Sequence, residues 1–270
     1  MRISRIGFDL SFRKMPLVQR DSEENLNSPT PSPAALLASA FPRGGRAVVI
    51  GATGGIGSAV EAVLTASGAF AEVIGLSRST DPGLDLTDEA SITAAAEQIG
   101  SGPPLRLVFV ASGLLHDGAM QPEKALRQLD PVHMARALAV NAIGPALLLK
   151  HVVPLLPRTG RSVIAFLSAR VGSIGDNSLG GWISYRAAKA ALNQIVRTAA
   201  IEVARTRPEA VIVALHPGTV DTGLSQPFAR SGLDVRPPND AADELLNVVA
   251  GLTPVENGGF FDYRGRPIPW

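Results

Sequence analysis

Residues 47–60 read AVVIGATGGIGSAV, and this stretch decides the fold. Ala47–Ile50 is a short, apolar, β-branched run. Glycines at 51, 54, 55 and 57 then crowd a turn, and from Ile56 to Ala66 the apolar residues recur at helical spacing. A strand turning on glycines into a helix opens a βαβ unit. The same alternation continues outward. Ala71–Leu76 is a second strand, and Glu89–Ile99 a second helix with Thr87 and Asp88 as capping residues. Leu105–Val110 is a continuous apolar strand of the kind buried on both faces. A long helix over Pro131–Val153 stops at Pro154. Strands at Ser162–Leu167, Ala210–Leu215 and Gly259–Tyr263 then alternate with helices at Ser184–Thr206 and Ala241–Ala250. This order predicts an α/β, doubly wound Rossmann fold, a parallel sheet of about seven strands with helices on both faces.

Composition sets the outer limits. The 270 residues are 46% hydrophobic and 18% charged, with a net charge of +1, which excludes disorder of the whole chain. No positive excess exists to displace counterions, so nucleic acid is not an expected partner. With 0 Cys there is no disulfide, thiolate nucleophile or cysteine metal site, as fits a reducing, cytoplasmic setting. The 4 His show no ligand spacing, and no metal is expected. The apolar run Ala47–Val60 is shorter than the roughly 18–20 residues of a membrane helix, so no span is expected. Residues 1–45 begin basic and turn Ser/Pro/Asn-rich, reading as a flexible extension with a transit-like segment as the alternative. Only Pro33–Phe41 offers a helical turn there, with Ser32 as its cap. The folded domain is expected over 46–270.

The glycine turn allows close backbone approach to a pyrophosphate, and the helix behind it supplies free N–H groups and a positive dipole end. Gly51, Thr53, Gly54, Gly55, Ile56 and Gly57 are therefore candidate dinucleotide-binding residues. The tip of the second strand reads Leu76-Ser77-Arg78-Ser79, without the carboxylate that would favour NAD. Arg78, with Ser77 or Ser79, can instead hold a 2′-phosphate, which points to NADP with NAD less favoured. Asp85 and Leu86 are candidates for the adenine ring, or else part of a helix cap. Tyr185 and Lys189 stand at i and i+4 in SYRAAK, on one helix face. A neighbouring ammonium favours phenolate and brings the phenol towards useful acid/base strength. Ser168 ends the strand Ser162–Leu167, where side chains face the ligand crevice. Asn141 sits inside a long helix, a poor place for an amide without a job. The turn His216-Pro217-Gly218-Thr219-Val220 follows another strand and can present backbone groups to a ligand.

Taken together, these motifs resemble the short-chain dehydrogenase/reductase superfamily, and more closely its C-factor-like branch. The resemblance covers Arg46–Trp270 and includes LLHDGAMQPEK, SARVGSIGDNSLGGW, LHPGTVDTGL and the ending FFDYRGRPIPW. It implies that Gly51, Gly55 and Gly57 bind the pyrophosphate and that Tyr185 is the acid/base. Lys189 would lower the phenol's pKa and bind ribose, Ser168 would orient a carbonyl, and Asn141 would hold a relay water. Pro217, Gly218, Val220 and Thr222 would face the nicotinamide and the neighbouring phosphate. The family's Asn-Asn-Ala-Gly is Val110-Ala111-Ser112-Gly113 here, so contacts from Ala111, Ser112 and Gly113 would be made by backbone. Ile50 replaces the usual Thr, and the Ser168-to-Tyr185 interval is longer than usual, which makes Ser173 a rival hydroxyl.

The implied function is an NADP-dependent oxidoreductase interconverting a carbonyl and an alcohol. The alternatives are a coenzyme-binding signalling or scaffold protein of the same fold, and an extended nucleotide-sugar epimerase, for which too few residues follow Thr222. The Pro/Gly-rich stretch Gly223–Pro238, with Leu224, Phe228 and Leu233, is expected to close over a small carbonyl or alcohol substrate. The two long helices carry apolar residues around more than one face, so a homodimer or homotetramer is expected.

Overall fold

The computed structural model describes residues 32–118, 120–228 and 235–270. Helix α1 (Pro33–Ala40) precedes β1 (Arg46–Ile50), α2 (Gly55–Ser67), β2 (Glu72–Leu76), α3 (Glu89–Gly100) and β3 (Leu105–Val110). A long rod follows, formed by α4 (Pro131–Leu138), a π turn at Ala139–Ile143 and α5 (Gly144–Val152). After it come β4 (Ser162–Leu167), α6 (Ile183–Ala204), β5 (Ala210–His216), the short strands β6 (Thr219–Val220) and β7 (Val235–Arg236), α7 (Pro238–Gly251) and β8 (Phe260–Asp262). Six strands pair in the order β2-β1-β3-β4-β5-β8, every pair parallel. β1 has β2 on one side and β3 on the other, so the winding reverses there and a crevice opens beyond their C-terminal ends.

Among the described residues the expected sheet of about seven strands has six. A strand outside β2 would have to come from Gly83–Leu86. There the Leu84 N–H turns back to Ser77 O at 2.8 Å and the Asp85 N–H bonds Ser91 Oγ at 2.7 Å, so the backbone curls away from pairing. β6 and β7 form a separate two-stranded ribbon. Leu233, expected over the substrate, lies outside the described residues.

The period-2 alternation of the strands divides the core into two layers. Ile50, Val110, Ile164 and Phe166 face the side of α3, α5 and α6, while Val49, Phe109, Val163 and Val213 face that of α1, α2 and α7. Asp130 caps the long rod, its carboxylate accepting the N–H groups of Val132 and His133 at 2.8 and 3.0 Å. Among the described residues this rod, taken as Pro131–Leu155, is the one helix long and apolar enough to cross a membrane. Arg136 and Lys150 interrupt its apolar run. Its Leu148, Leu149 and Val152 belong to the α3/α6 core layer.

The domain start expected at Arg46 moves towards the N-terminus. Residues 31–270 form one compact unit, and α1 is part of it. Ser32 caps α1 as read, accepting the Ala35 N–H at 3.3 Å. Leu37 is fully buried and the Phe41 ring lies 5.2 Å from that of Phe70. Arg161 donates to Ala40 O at 2.9 Å while its guanidinium covers Phe41 at 4.7 Å. A segment of weak local pattern is thus held by long-range contacts. The flexibility expected for residues 1–31 lies outside the described residues.

Candidate active site

The glycine turn has little room for anything else. Gly51 adopts φ 85°, a left-handed conformation suited to glycine. A Cβ on Gly57 would stand 2.1 Å from Gly51 O, which is backbone and cannot move aside. The first helical bond of α2 runs from Ser58 N–H to Gly54 O at 2.8 Å. The amides of Gly55, Ile56 and Gly57 therefore lie ahead of the ladder, at the positive end of the helix. Thr53, Gly54 and Gly55 are exposed above them. A Cβ on Gly55 would meet Thr222 Cγ2 at 2.7 Å, and one on Gly51 would meet Ser112 Oγ at 2.8 Å. Thr222 and Ser112 thus wall the turn from two sides, and Ala111 is fixed by its N–H to Ile50 O at 2.7 Å. This cradle of free amides without side chains fits a diphosphate.

At the tip of β2, Arg78 is exposed and makes no ion pair among the described residues. Ser77 is buried, its hydroxyl 3.0 Å from Ser79 Oγ. Asp85 accepts the N–H and hydroxyl of Thr87 at 2.8 and 2.7 Å, which holds its carboxyl below the usual value, with Arg78 a smaller influence. Thr87 therefore serves Asp85, and Asp88 alone caps α3. Leu86 is a core residue, packed where a Cβ on Gly144 would meet its carbonyl at 2.4 Å.

Tyr185 and Lys189 share the buried face of α6, with the Lys189 Nζ 5.8 Å from the centre of the Tyr185 ring. The ammonium donates to Leu167 O at 2.9 Å, tying the helix to the end of β4. Burial pushes the Tyr185 phenol above its ordinary value and brings Lys189 down to about 8. The lowered phenol pKa expected from sequence is therefore not found here. Desolvation is the cause. Asn141 lies in the π turn, 1% exposed. Its Nδ2 donates to Leu114 O at 2.8 Å and to Ala137 O at 3.0 Å, and its Oδ1 accepts the Leu114 N–H at 3.0 Å. Asn141 thus clamps the loop after β3. A Cβ on Gly113 would lie 3.4 Å from Asn141 Oδ1 and 3.6 Å from Lys189 Nζ, so these three groups meet.

The serines are turned elsewhere. Ser168 is buried, and its hydroxyl donates to Asn193 Oδ1 on α6 at 2.7 Å. Asn193 stands eight residues beyond Tyr185, about 12 Å along the helix axis. Ser173 is also buried, donating to Pro269 O and accepting the Asp176 N–H at 3.1 Å. Neither hydroxyl is hydrogen-bonded to Tyr185 among the described residues. Both donate within the fold.

The turn after β5 is braced by residues that sequence reading missed. Arg236 donates to Pro217 O, pairs with Glu244 and stacks over the Tyr263 ring at 3.6 Å. It lies against Gly218, where a Cβ would meet Arg236 Nη2 at 2.7 Å. Val220 is buried beside this turn, and burial brings His216 down to about 4, so its ring is neutral. Glu123, 5% exposed, accepts the Ser184 hydroxyl and its N–H, the latter at 3.2 Å, and so caps α6 from a distant loop. Nothing local could reveal Glu123 or Arg236. Asn193 had one signal, a polar side chain one turn beyond Lys189 on the same buried face.

The short chain dehydrogenase family model matches residues 46–231. The chain belongs to the short-chain dehydrogenase/reductase family. This is a family of oxidoreductases using NAD(P), and the six-stranded parallel sheet is its Rossmann-like fold. The chain is 38% identical to C-signal of Myxococcus xanthus over 147 residues, 54% of this chain and 84% of that protein. It is 30% identical to 1-hydroxy-2-glutathionyl-2-methyl-3-butene dehydrogenase of Rhodococcus sp. (strain AD45) over 193 residues, 71% of this chain and 80% of that protein. Among solved structures it is similar to NADPH-bound carbonyl reductase from chicken fatty liver, with a TM-score of 0.72 and 25% identity. That likeness covers 85% of this chain and 100% of the other. The C-factor-like branch of this short-chain dehydrogenase/reductase family is thus its place.

Proposed function

We propose that this protein is an NADP(H)-dependent oxidoreductase that interconverts a carbonyl and an alcohol on a small molecule, with Tyr185 as the proton donor and acceptor. One observation carries the reading. The diphosphate cradle and the Tyr185–Lys189 pair are joined through two consecutive residues, Ser112 against Gly51 and Gly113 beside Lys189 and Asn141. A coenzyme on the cradle would extend along this line towards Tyr185, past the turn from Pro217 to Thr222. Arg78 would pair with a 2′-phosphate. The bound coenzyme supplies a hydride to the carbonyl carbon in reduction and is itself oxidised. Tyr185 gives the phenolic proton to the carbonyl oxygen, so the C=O double bond becomes a C–O single bond with a new C–H and a new O–H bond. The Lys189 ammonium stabilises the phenolate left behind, and solvent returns the proton. Asn141 keeps the loop bearing Gly113 in register. Ser168 acts through Asn193 as a positioning residue.

Pairing of the long rod and α6 across a two-fold axis is part of this reading, supported by the exposed Val132, Ile143 and Ile201. Light scattering at micromolar concentration tests it, and a monomer alone would contradict it. For the activity, Tyr185→Phe should still bind NADPH by fluorescence titration while carbonyl reduction falls about 10²–10⁴-fold. Normal turnover in the variant overturns the role of Tyr185. A wild type inert towards a carbonyl panel, yet binding NADPH, favours a scaffold or signalling role.

A further inference from the structure

We propose that Trp182, Phe228 and His116 form a wall that selects carbonyl compounds carrying an aromatic ring next to the carbonyl. This rests on reading Tyr185 as the acid/base. The rings stand in a row, each edge-on to the next. His116 and Phe228 have centroids 5.4 Å apart at 66°, Phe228 and Trp182 are 5.2 Å apart at 65°, and Trp182 and Tyr185 are 6.4 Å apart at 69°. They come from three separate segments, after β3, at the entry to α6 and after β6, all beyond the C-terminal ends of parallel strands. All three are half-buried, so part of each ring is open. A carbonyl held by the Tyr185 phenol has one substituent beside the indole, where a further ring can continue the edge-to-face row.

The backbone at Trp182 argues that the indole is there for more than packing. Its φ of 51° and ψ of 42° are left-handed, and it is the only non-glycine residue with positive φ among the described residues. The two positions before it, with φ 64° and 66°, are Gly180 and Gly181. A bulky side chain in this conformation is held against a cost, and such residues gather at functional sites. Hydrogen bonds hold this backbone. Trp182 N–H donates to Glu123 O at 2.5 Å, and the Arg186 guanidinium donates to Gly181 O at 2.9 Å and Gly180 O at 3.0 Å. Glycine would fit this backbone without strain, yet the residue is the largest available, and it lies outside the core. The neighbouring charges are already engaged. Asp117 pairs with Arg136, Glu123 caps α6 and Arg186 holds carbonyls.

The test uses the full chain with NADPH and two aldehydes of similar size, benzaldehyde and cyclohexanecarbaldehyde. Wild-type kcat/KM should favour benzaldehyde by about tenfold, the scale of one or two aromatic contacts. In Trp182→Gly and in Phe228→Ala this ratio should fall to near one through a higher KM for benzaldehyde, with NADPH affinity unchanged. Trp182→Phe should keep most of the preference. Calorimetry with benzyl alcohol and cyclohexylmethanol, in the presence of NADPH, reads the same preference without turnover. Turnover of both aldehydes without preference, or a ratio unchanged in both truncations, overturns the wall and leaves the oxidoreductase reading standing. A binding preference for benzyl alcohol with no turnover of either aldehyde supports the wall and overturns the acid/base reading. Neither turnover nor preference overturns both.

Discussion

Replacing Ser168 by Ala separates two roles for a serine at the end of a strand beside the site. Ser168 is 4% exposed and its hydroxyl serves Asn193 Oδ1 at 2.7 Å. Asn193 is 2% exposed, and its other bond, Nδ2 to Gly172 O, is long at 3.4 Å. Removing the hydroxyl leaves a buried amide oxygen without its donor, which costs about 1–3 kcal/mol. For a domain of this size each kcal/mol moves the melting temperature by about 2–4 °C, so a fall of about 2–12 °C is expected. Turnover should drop less than about tenfold, against about 10²–10⁴-fold for a lost acid/base group. A second variant sharpens the comparison. Ser168→Ala combined with Asn193→Leu removes both polar partners, and stability should largely return, since pairs replaced by apolar groups are nearly neutral. Melting is followed by circular dichroism and kcat is measured at saturating NADPH with an accepted carbonyl. A hundred-fold loss of kcat, with an unchanged melting temperature and no recovery in the double variant, would refute the positioning role. Ser168 would then be the carbonyl-orienting hydroxyl that the family resemblance implies.

Arg78→Asp should invert the coenzyme preference, with NADPH affinity falling about ten- to a hundred-fold as a charge-assisted contact worth about 1.5–3 kcal/mol is lost. Fluorescence titration with both coenzymes reads it, and an unaltered preference removes Arg78 from the site. Leu37→Ala should cost about 2–5 kcal/mol, because the side chain is fully buried between α1 and the core. A melting temperature within a degree of wild type would show that α1 is dispensable. Reduction should decline as pH rises through about 8, where the buried Lys189 ammonium loses its proton. The Tyr185 phenol, raised by the same burial, keeps its proton over that range. The stability effect of Lys189 has the opposite sense, since its depressed folded pKa makes the native state gain stability as pH rises from about 8 towards 10.5. A rate profile flat to pH 10 would remove Lys189 from the reaction.

Local pattern alone determined the layered α/β plan. Each strand and helix announces itself by period, and glycine at 57 is demanded by the Gly51 carbonyl six residues before it. Tyr185 and Lys189 were legible for the same reason, one helical turn apart on one face. What needed the tertiary structure lies between segments far apart in sequence. The helix Pro33–Ala40 has almost no pattern of its own and is held by Arg161, Phe70 and the core. The direction of the Ser168 hydroxyl depends on Asn193, 25 residues on. The raised phenol of Tyr185 and the lowered ammonium of Lys189 follow from burial, which the spacing i, i+4 does not state. The row of rings from His116 to Tyr185 exists only because parallel strands deliver all their loops to one edge of the sheet. A sequence fixes near neighbours through backbone geometry, whereas desolvation and contacts across the chain come into being only when the sheet closes its layers.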